Sequence, residues 1–211
     1  DLLQQRLREV VDPAALIELH RRAGEWFESQ ALMGDAIEQA LVARDYDAAA
    51  RRLRAHVQWL FIHSELQTLA DDVAAFPADY LAQHLFLLAM RSWALLATGQ
   101  AAKALTCIET IEQNAQITSE DFDRWDHLSN EARAALIETG VMRMRLVVDQ
   151  GDVERTVWLA QHLLPHLNDG PQQWLYNFSY GLRAPVLFMQ ALAHETRGDA
   201  QAAEAGFRAA A

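Results

Sequence analysis

The residues of this chain whose types best suit recognition chemistry lie in one short stretch, residues 170–183 (GPQQWLYNFSYGLR). Aromatic rings alternate there with amides and a guanidinium group; the side chains that we single out are Trp174, Tyr176, Tyr180 and Arg183. Aromatic rings stack on the apolar face of a ligand, and polar groups beside them orient it. We therefore interpret this stretch as an effector site for a sugar or an aromatic metabolite. The alternative is that the rings fill space between helices.

Metal ligation is the next chemistry to consider. His162 and His166 have the i, i+4 spacing of helical metal ligands, but Pro165 lies between them and no third ligand accompanies them. The acidic run 121–127 supplies carboxylates without the regular spacing of a calcium loop. We expect no metal site in this chain, and histidines at helix ends or facing solvent are the better interpretation.

Catalytic motifs are also absent from the sequence. The single cysteine, Cys107, lies between Thr106 and Ile108 on an apolar helical face with no base nearby in sequence, which favours core packing over a nucleophile. No glycine-rich phosphate loop is present. We therefore expect a non-enzymatic segment that holds no cofactor of its own.

The composition restricts the partners and the location. The chain of 211 residues has 18 basic and 29 acidic residues, a net charge of −11 and a single lysine, so direct contact with nucleic acid is not expected. No signal segment and no apolar run long enough to cross a bilayer occur. The expected location is the cytoplasm, away from membranes. Because the chain begins with Asp1 and ends within a helical pattern, we interpret it as part of a longer protein.

The elements that must position these side chains are helices, and residues 88–111 are the clearest unit. Gly99 lies where a helix ends in a left-handed residue, Ala104 permits close approach five residues later, and Ile108 is a bulky position of the next helix. This is the tetratricopeptide pattern. It recurs after Gly151 and Gly198, at intervals of 52 and 47 residues, longer than a regular array of such repeats. The sequence predicts an all-α fold, an irregular tetratricopeptide-like α-solenoid built from antiparallel helix pairs.

Several local expectations accompany this pattern. Ala31 and Arg44 occupy the glycine position of two further units, so the pattern persists there without its glycine. Thr118 or Ser119 is expected to cap a helix whose first turn is acidic. The remaining expectation is that three tryptophans spaced 32 and 33 residues apart mark equivalent packing positions, and these are Trp93, Trp125 and Trp158.

The N-terminal third resembles a known family. The segments LHRRA (19–23), Trp26-Phe27, 35–41 and 45–53 are similar to the region that follows the winged helix in MalT-like transcriptional activators of the LuxR class. The similarity continues through 64–69 and 92–100, and it covers residues 1–115 well and 128–210 only as generic repeats. Glycines that are usual in the family are replaced at Ala31, Arg44 and Ser64.

The resemblance implies a signal-transduction ATPase with an upstream ATP-binding module and a downstream DNA-binding helix–turn–helix, neither of which is in this chain. Residues 1–76 would be the end of the winged-helix region with connecting repeats, and residues 77–211 a tetratricopeptide-like sensor. The sensor would bind a small-molecule inducer or a regulatory protein and govern ATP-dependent self-association of the full-length protein. The alternative is a scaffold whose groove binds a peptide or an inhibitory partner.

Overall fold

The computed structural model describes residues 12–167 and 182–211, and within these ranges every regular element is a helix. The chain divides into two compact units, Asp1–Leu81 and Ala82–Ala211. The all-α prediction is therefore confirmed. The roles assigned from sequence to residues 1–76 and 77–211 stay a prediction.

The first unit is a succession of helices, and each of the first three packs on the next. They are α1 (Pro13–Ser29), α2 (Met33–Val42), α3 (Tyr46–Ile62), α4 (Leu66–Ala74) and the short α5 (Ala78–Gln83). Helix α1 begins directly after Asp12, because the Asp12 carboxylate accepts hydrogen bonds from the first backbone N–H groups and Pro13 occupies the first turn. Its core is aliphatic and includes Ile37, Leu53, Leu60 and Leu69.

A buried arginine connects the first three helices of this unit. The Arg52 side chain is 3% exposed; its Nε donates to Glu28 Oε2 at 2.7 Å and its Nη1 to the Ala36 carbonyl oxygen at 3.0 Å. A Cβ atom added to Gly24 would lie 2.8 Å from Arg52 Nη1. Gly24 therefore leaves the space that the guanidinium group occupies between α1, α2 and α3.

Most helices of the described ranges end at a residue with a left-handed backbone, and this residue is a glycine at some turns and another residue type at others. Gly99, Gly151 and Gly198 have φ of 74°, 73° and 84°, and Ala31 and Arg44 reach 59° and 58°. The same backbone bonds close each turn. At the end of α1, for example, the N–H of residue 31 bonds to the carbonyl of residue 28, and that of residue 32 to the carbonyl of residue 27, both at 3.0 Å. The prediction that the pattern persists without glycine is confirmed.

The second unit repeats a two-helix arrangement. Its helices are α6 (Leu85–Ala97), α7 (Ala101–Ala115), α8 (Asn130–Asp149), α9 (Val153–Leu163), α10 (Arg183–Arg197) and α11 (Ala200–Ala210). Helices α6, α8 and α10 contact one another in sequence, while α7, α9 and α11 each pack on the helix before them. One helix of each pair thus stacks on its counterpart, which is the arrangement of a helical solenoid.

Two sequence expectations fail in this unit. The break after α7 leads into a 3₁₀-helix, Phe122–His127, which directly follows Asp121, so neither Thr118 nor Ser119 caps it. The Thr118 hydroxyl donates to Asp121 Oδ2 at 2.8 Å, and the Ser119 hydroxyl donates to Glu112 Oε1 at 2.6 Å. Helix α8 is capped instead by Ser129, which accepts from the Ala132 N–H at 3.2 Å. The three tryptophans are not equivalent either, since one lies on α6, one in the 3₁₀-helix and one on α9.

Candidate functional site

The most unusual polar pair of the second unit lies between α6 and α8. The indole Nε1 of Trp93, on α6, donates to Glu138 Oε2, on α8, at 2.7 Å. Glu138 is buried, with 3% of its surface exposed, whereas Trp93 is half-buried. Both residues belong to the row of helices that stack directly on one another. The indole is therefore the part of the pair that reaches the surface.

The carboxyl group of Glu138 is only half satisfied. Its Oε1 is buried and has no hydrogen-bond partner among the described residues. Burial raises the pKa of Glu138 to about 8, and the hydrogen bond from Trp93 lowers it by less. No charged side chain of the described ranges contributes to this pKa. Glu138 is therefore predominantly a neutral acid at neutral pH, next to an aromatic ring.

Sequence reasoning missed Glu138, although one signal was present. The residue stands within the run AALIETGVM (134–142), where its apolar neighbours on both sides are buried. Helix α8 packs against α6, α7, α9 and α10, so little of its circumference remains for charged residues. A glutamate inside such a run indicates a buried carboxyl group. Because charged side chains are almost never fully buried without a partner, such a glutamate is a candidate functional residue.

The effector residues predicted from sequence lie mostly outside the described residues. This applies to Trp174, Tyr176 and Tyr180. Arg183 is described and half-buried at the first position of α10, where its Nη1 donates to the carbonyl oxygens of Leu167 at 3.3 Å and Leu164 at 3.5 Å. These bonds tie α10 to the short 3₁₀-turn that follows α9, Leu164–His166. The role of all four residues in binding an effector stays a prediction.

A cluster of rings lies beside that turn and accounts for the histidine pair. Phe122 stacks on His162, with ring centroids 5.3 Å apart, and on His166, at 6.0 Å. Trp125 and Trp158 complete the cluster around Phe122, at 4.9 and 5.7 Å. Burial lowers the pKa of His166. The histidines therefore pack as aromatic rings, and among the described residues no group of side chains has the composition of a metal site.

An ion pair fixes α8 against α7. Arg143 makes two bonds to Glu112, at 3.0 and 2.7 Å, and Ser119 donates to the same carboxylate through its N–H and hydroxyl. Burial acts to raise the pKa of Glu112, but the bonds from Arg143 and Ser119 outweigh it and lower the pKa. This glutamate is thus a satisfied anion, in contrast to Glu138.

Two further observations bear on the expected chemistry. Cys107 is a free, buried thiol, and burial raises its pKa above the ordinary value. A thiol of this kind is a poor nucleophile, as expected for core packing. Across the described ranges, no helix combines the length and apolarity needed to cross a bilayer.

Comparison with known proteins supplies the regulatory context. Over 153 residues, 72% of this chain, 27% of the positions are identical to those of the HTH-type transcriptional regulator MalT of Klebsiella pneumoniae subsp. pneumoniae. The chain is similar to MalT. The matched region spans 16% of MalT's own length. No family model and no solved structure matches the chain.

The similarity to MalT is distant and partial. At 27% identity over one sixth of the relative's length, it connects this chain to a segment of a transcription regulator. It agrees with the resemblance to MalT-like activators inferred from LHRRA and the segments after it.

Proposed function

We propose that this chain is the effector-sensing and oligomerisation segment of a MalT-like transcriptional activator of the LuxR class and is not itself an enzyme. In this proposal it governs ATP-dependent assembly and DNA binding that other domains of a longer protein carry out. ATP is the cofactor of an upstream domain, and this segment has none. The observation that carries the proposal is the similarity to MalT over 72% of the chain.

The fold supports this proposal. Stacked helix pairs expose long continuous surfaces, and proteins built in this way use such surfaces for binding. The second unit has this arrangement through α6, α8 and α10. The net charge of the whole chain, −11, suits a segment that leaves contact with DNA to another part of the protein.

The proposed mechanism is a population shift. An inducer that prefers one arrangement of the stacked helices stabilises that arrangement by its difference in affinity, and the longer protein then favours its assembled form. Shifting an equilibrium from 1:99 to 99:1 requires about 10⁴-fold preference for one state. Partners under this mechanism are the small-molecule inducer and further copies of the same protein.

The main competing function is a protein-binding scaffold, as tetratricopeptide-like repeats commonly bind peptides. Isothermal titration of the chain with candidate sugars and aromatic metabolites separates the two. We expect heat of binding from a small molecule. If no small molecule binds and the chain stably captures a defined cellular protein, the scaffold function is favoured and the sensor function is rejected.

The genomic sequence on either side of the chain tests the regulator proposal independently. We expect a Walker-type phosphate loop upstream and a LuxR-type helix–turn–helix downstream. The longer protein should then assemble only with ATP and inducer together, which analytical ultracentrifugation measures. Flanking sequence that lacks both motifs would contradict the proposal.

Residues 170–183 are the proposed effector contact. We expect Trp174→Ala to weaken inducer binding by about tenfold or more, because a sugar or an aromatic inducer would lose the indole on which it stacks. Trp26→Ala is the matched control, since Trp26 lies in the first unit with 57% of its surface exposed. Equal affinity of both variants would remove this stretch from the site. For Arg183→Ala, the thermal stability is measured as well as the affinity, because Arg183 also bonds to two backbone carbonyls and a loss of stability must be separated from a loss of binding.

A further inference from the structure

The starting observation is a buried carboxyl group with one free oxygen. Glu138 accepts one hydrogen bond, from Trp93, and its Oε1 has no partner among the described residues. Buried polar groups are nearly always satisfied, so an unsatisfied atom requires an explanation. Leaving such a group unpaired costs about 1–3 kcal/mol.

A structural role alone accounts poorly for a glutamate at this position. A glutamine would accept the Trp93 bond equally well through its amide oxygen, and it carries no ionisable group that burial must hold neutral. A neutral hydroxyl or carbonyl ligand would likewise be bound by an amide. What only the carboxyl group offers is a negative charge, and within the described ranges no cation stands close enough to affect Glu138. The partner that complements it is therefore a cation from outside.

The ring beside the carboxyl group indicates what kind of cation. Trp93 is half-buried on α6 and presents an indole next to Glu138 Oε2. An indole attracts ammonium groups through its π face, and it packs well on hydrocarbon. Carboxylate and indole together are suited to an organic amine and offer no ligand set for a metal ion.

We propose that Trp93 and Glu138 form the polar end of a site for a protonated organic amine, whose ammonium group donates to Glu138 Oε1 while its carbon frame packs on the Trp93 indole. The inference rests on the proposed function in one respect, since it gives the sensor a second ligand class at a site additional to residues 170–183. Binding converts the neutral acid to a carboxylate, and the released proton passes to the buffer. The side chains that cover Oε1 must shift to admit the ligand, because Oε1 is buried before binding.

The test titrates the 211-residue chain with methylammonium, propylammonium and phenethylammonium, and with 2-phenylethanol as the uncharged counterpart of the last. Calorimetry in two buffers of different ionisation enthalpy counts the protons released, and difference infrared spectroscopy follows the protonated carboxyl band. We expect at least one ammonium ion to bind with release of about one proton. The alcohol should bind at least about tenfold more weakly.

Two variants make the assignment specific. Glu138→Gln keeps the shape and the bond from Trp93, and we expect it to lose proton release and at least about tenfold in affinity for the ammonium ion. Glu109→Gln is the matched control, because Glu109 is exposed on α7 in the same unit and should bind as the unchanged chain does. Trp93→Phe should weaken binding of phenethylammonium and abolish any fluorescence change from Trp93.

Three results would overturn the inference: no ammonium ion in the series ionises the carboxyl group, the alcohol binds as tightly as the amine, or Glu138→Gln binds unchanged. These measurements use this chain alone and do not depend on ATP, DNA or assembly. Failure of the amine site would therefore leave the regulator proposal standing. Conversely, flanking sequence without the expected motifs would reject the regulator and leave amine binding intact.

Discussion

Two buried ionisable side chains show opposite solutions to the cost of burying charge. Arg52 is a satisfied cation, bonded to a carboxylate and a backbone carbonyl between three helices. Glu138 has one neutral donor and no counter-ion among the described residues, so its carboxyl group holds its proton. Solvation costs decide the outcome in both cases, because an unpaired charge in a low dielectric is far more expensive than a protonated acid.

Glu138 should make the stability of the chain depend on pH in a defined direction. Below pH 4.5 the carboxyl group is protonated in the folded and the unfolded chain, and its contribution to stability is fully present. As the pH rises towards about 8 the unfolded chain releases the proton first, so the free energy of unfolding falls. We expect a loss on the order of 3 kcal/mol from pH 4.5 to neutral pH relative to Glu138→Gln, measured by urea denaturation.

The comparison with Glu138→Gln is needed because Asp72 acts with the same sign. Burial, with the nearby charges of Asp71 and Glu38, raises the pKa of Asp72 to about 6. The contribution of Asp72 to the pH dependence of stability is still present in Glu138→Gln, so it cancels when the free energies of unfolding of the two chains are subtracted. Equal pH dependence of the unchanged chain and the variant would show that Glu138 ionises freely in the folded state.

Gly24 and Gly34 should respond in opposite directions to the same substitution. Alanine in a helix is favoured over glycine by about 0.5–1 kcal/mol, and Gly34→Ala should gain this because no atom lies within 4 Å of the added Cβ. Gly24→Ala should instead destabilise the chain by about 1–3 kcal/mol, because the Cβ would lie 2.8 Å from Arg52 Nη1. Chemical denaturation measures both.

A double-mutant cycle then isolates the clash. In an Arg52→Met background the cost of Gly24→Ala should shrink, since the guanidinium group is gone. An undiminished cost in that background would mean that the guanidinium group is not what excludes a side chain from position 24.

Among the elements, the turns between helices are more uniform than their residues. Gly99, Gly151 and Gly198 make the left-handed turn without strain, whereas Ala31, Arg44 and Ser64 adopt φ of 58–59° despite having a Cβ. The two backbone bonds that close each turn, and the packing of the helices on either side, offset that strain. The repeat geometry is therefore retained where its signature residue is missing.

Replacing these residues by glycine should stabilise the chain. A left-handed conformation costs a non-glycine residue about 1–2 kcal/mol, so Ala31→Gly and Arg44→Gly should each raise the free energy of unfolding by about 1 kcal/mol. Ala55→Gly, at an exposed right-handed position in the middle of α3, is the matched control and should lower it by about 0.5–1 kcal/mol. Thermal and urea denaturation of the three variants decides this; a loss of stability in Ala31→Gly would contradict it.

Helix boundaries were predictable where capping chemistry is local. The aspartates that follow Gly151 and Gly198 accept bonds from backbone N–H groups three residues later, and this capping depends only on residues next to each other in sequence. The segment after α7 was not predictable, because Ser119 could cap a helix or bond to a distant group. Glu112, seven residues earlier and held by Arg143 from α8, decided between them.

At the scale of the whole molecule, acidic side chains outnumber basic ones, and many of the arginines form ion pairs with carboxylates. Most described arginines contact a carboxylate, and such pairs include Arg21–Glu18, Arg143–Glu112, Arg155–Glu120, Arg197–Glu154 and Arg208–Glu204. These guanidinium groups are already engaged with anions. A phosphate backbone would have to compete with those carboxylates and overcome the net charge of −11.

We therefore expect the isolated chain not to bind duplex DNA, even at low salt, where electrostatic attraction is strongest. Fluorescence anisotropy of a labelled duplex measures this, with the longer protein that carries the proposed helix–turn–helix as the positive control. A salt-dependent rise in anisotropy with the 211-residue chain alone would contradict the prediction.

The sequence by itself determined the helical class, the capped helix starts and the turns around residues 31, 44, 99, 151 and 198, because helix periodicity, caps and left-handed termini depend on residues a few positions apart. Only the tertiary structure decided the environment of Glu138, because its burial results from four helices that surround α8. The same holds for Arg52 and Ser119, whose partners lie on other segments of the chain. Burial and pairing depend on such distant residues, and a linear pattern does not specify them.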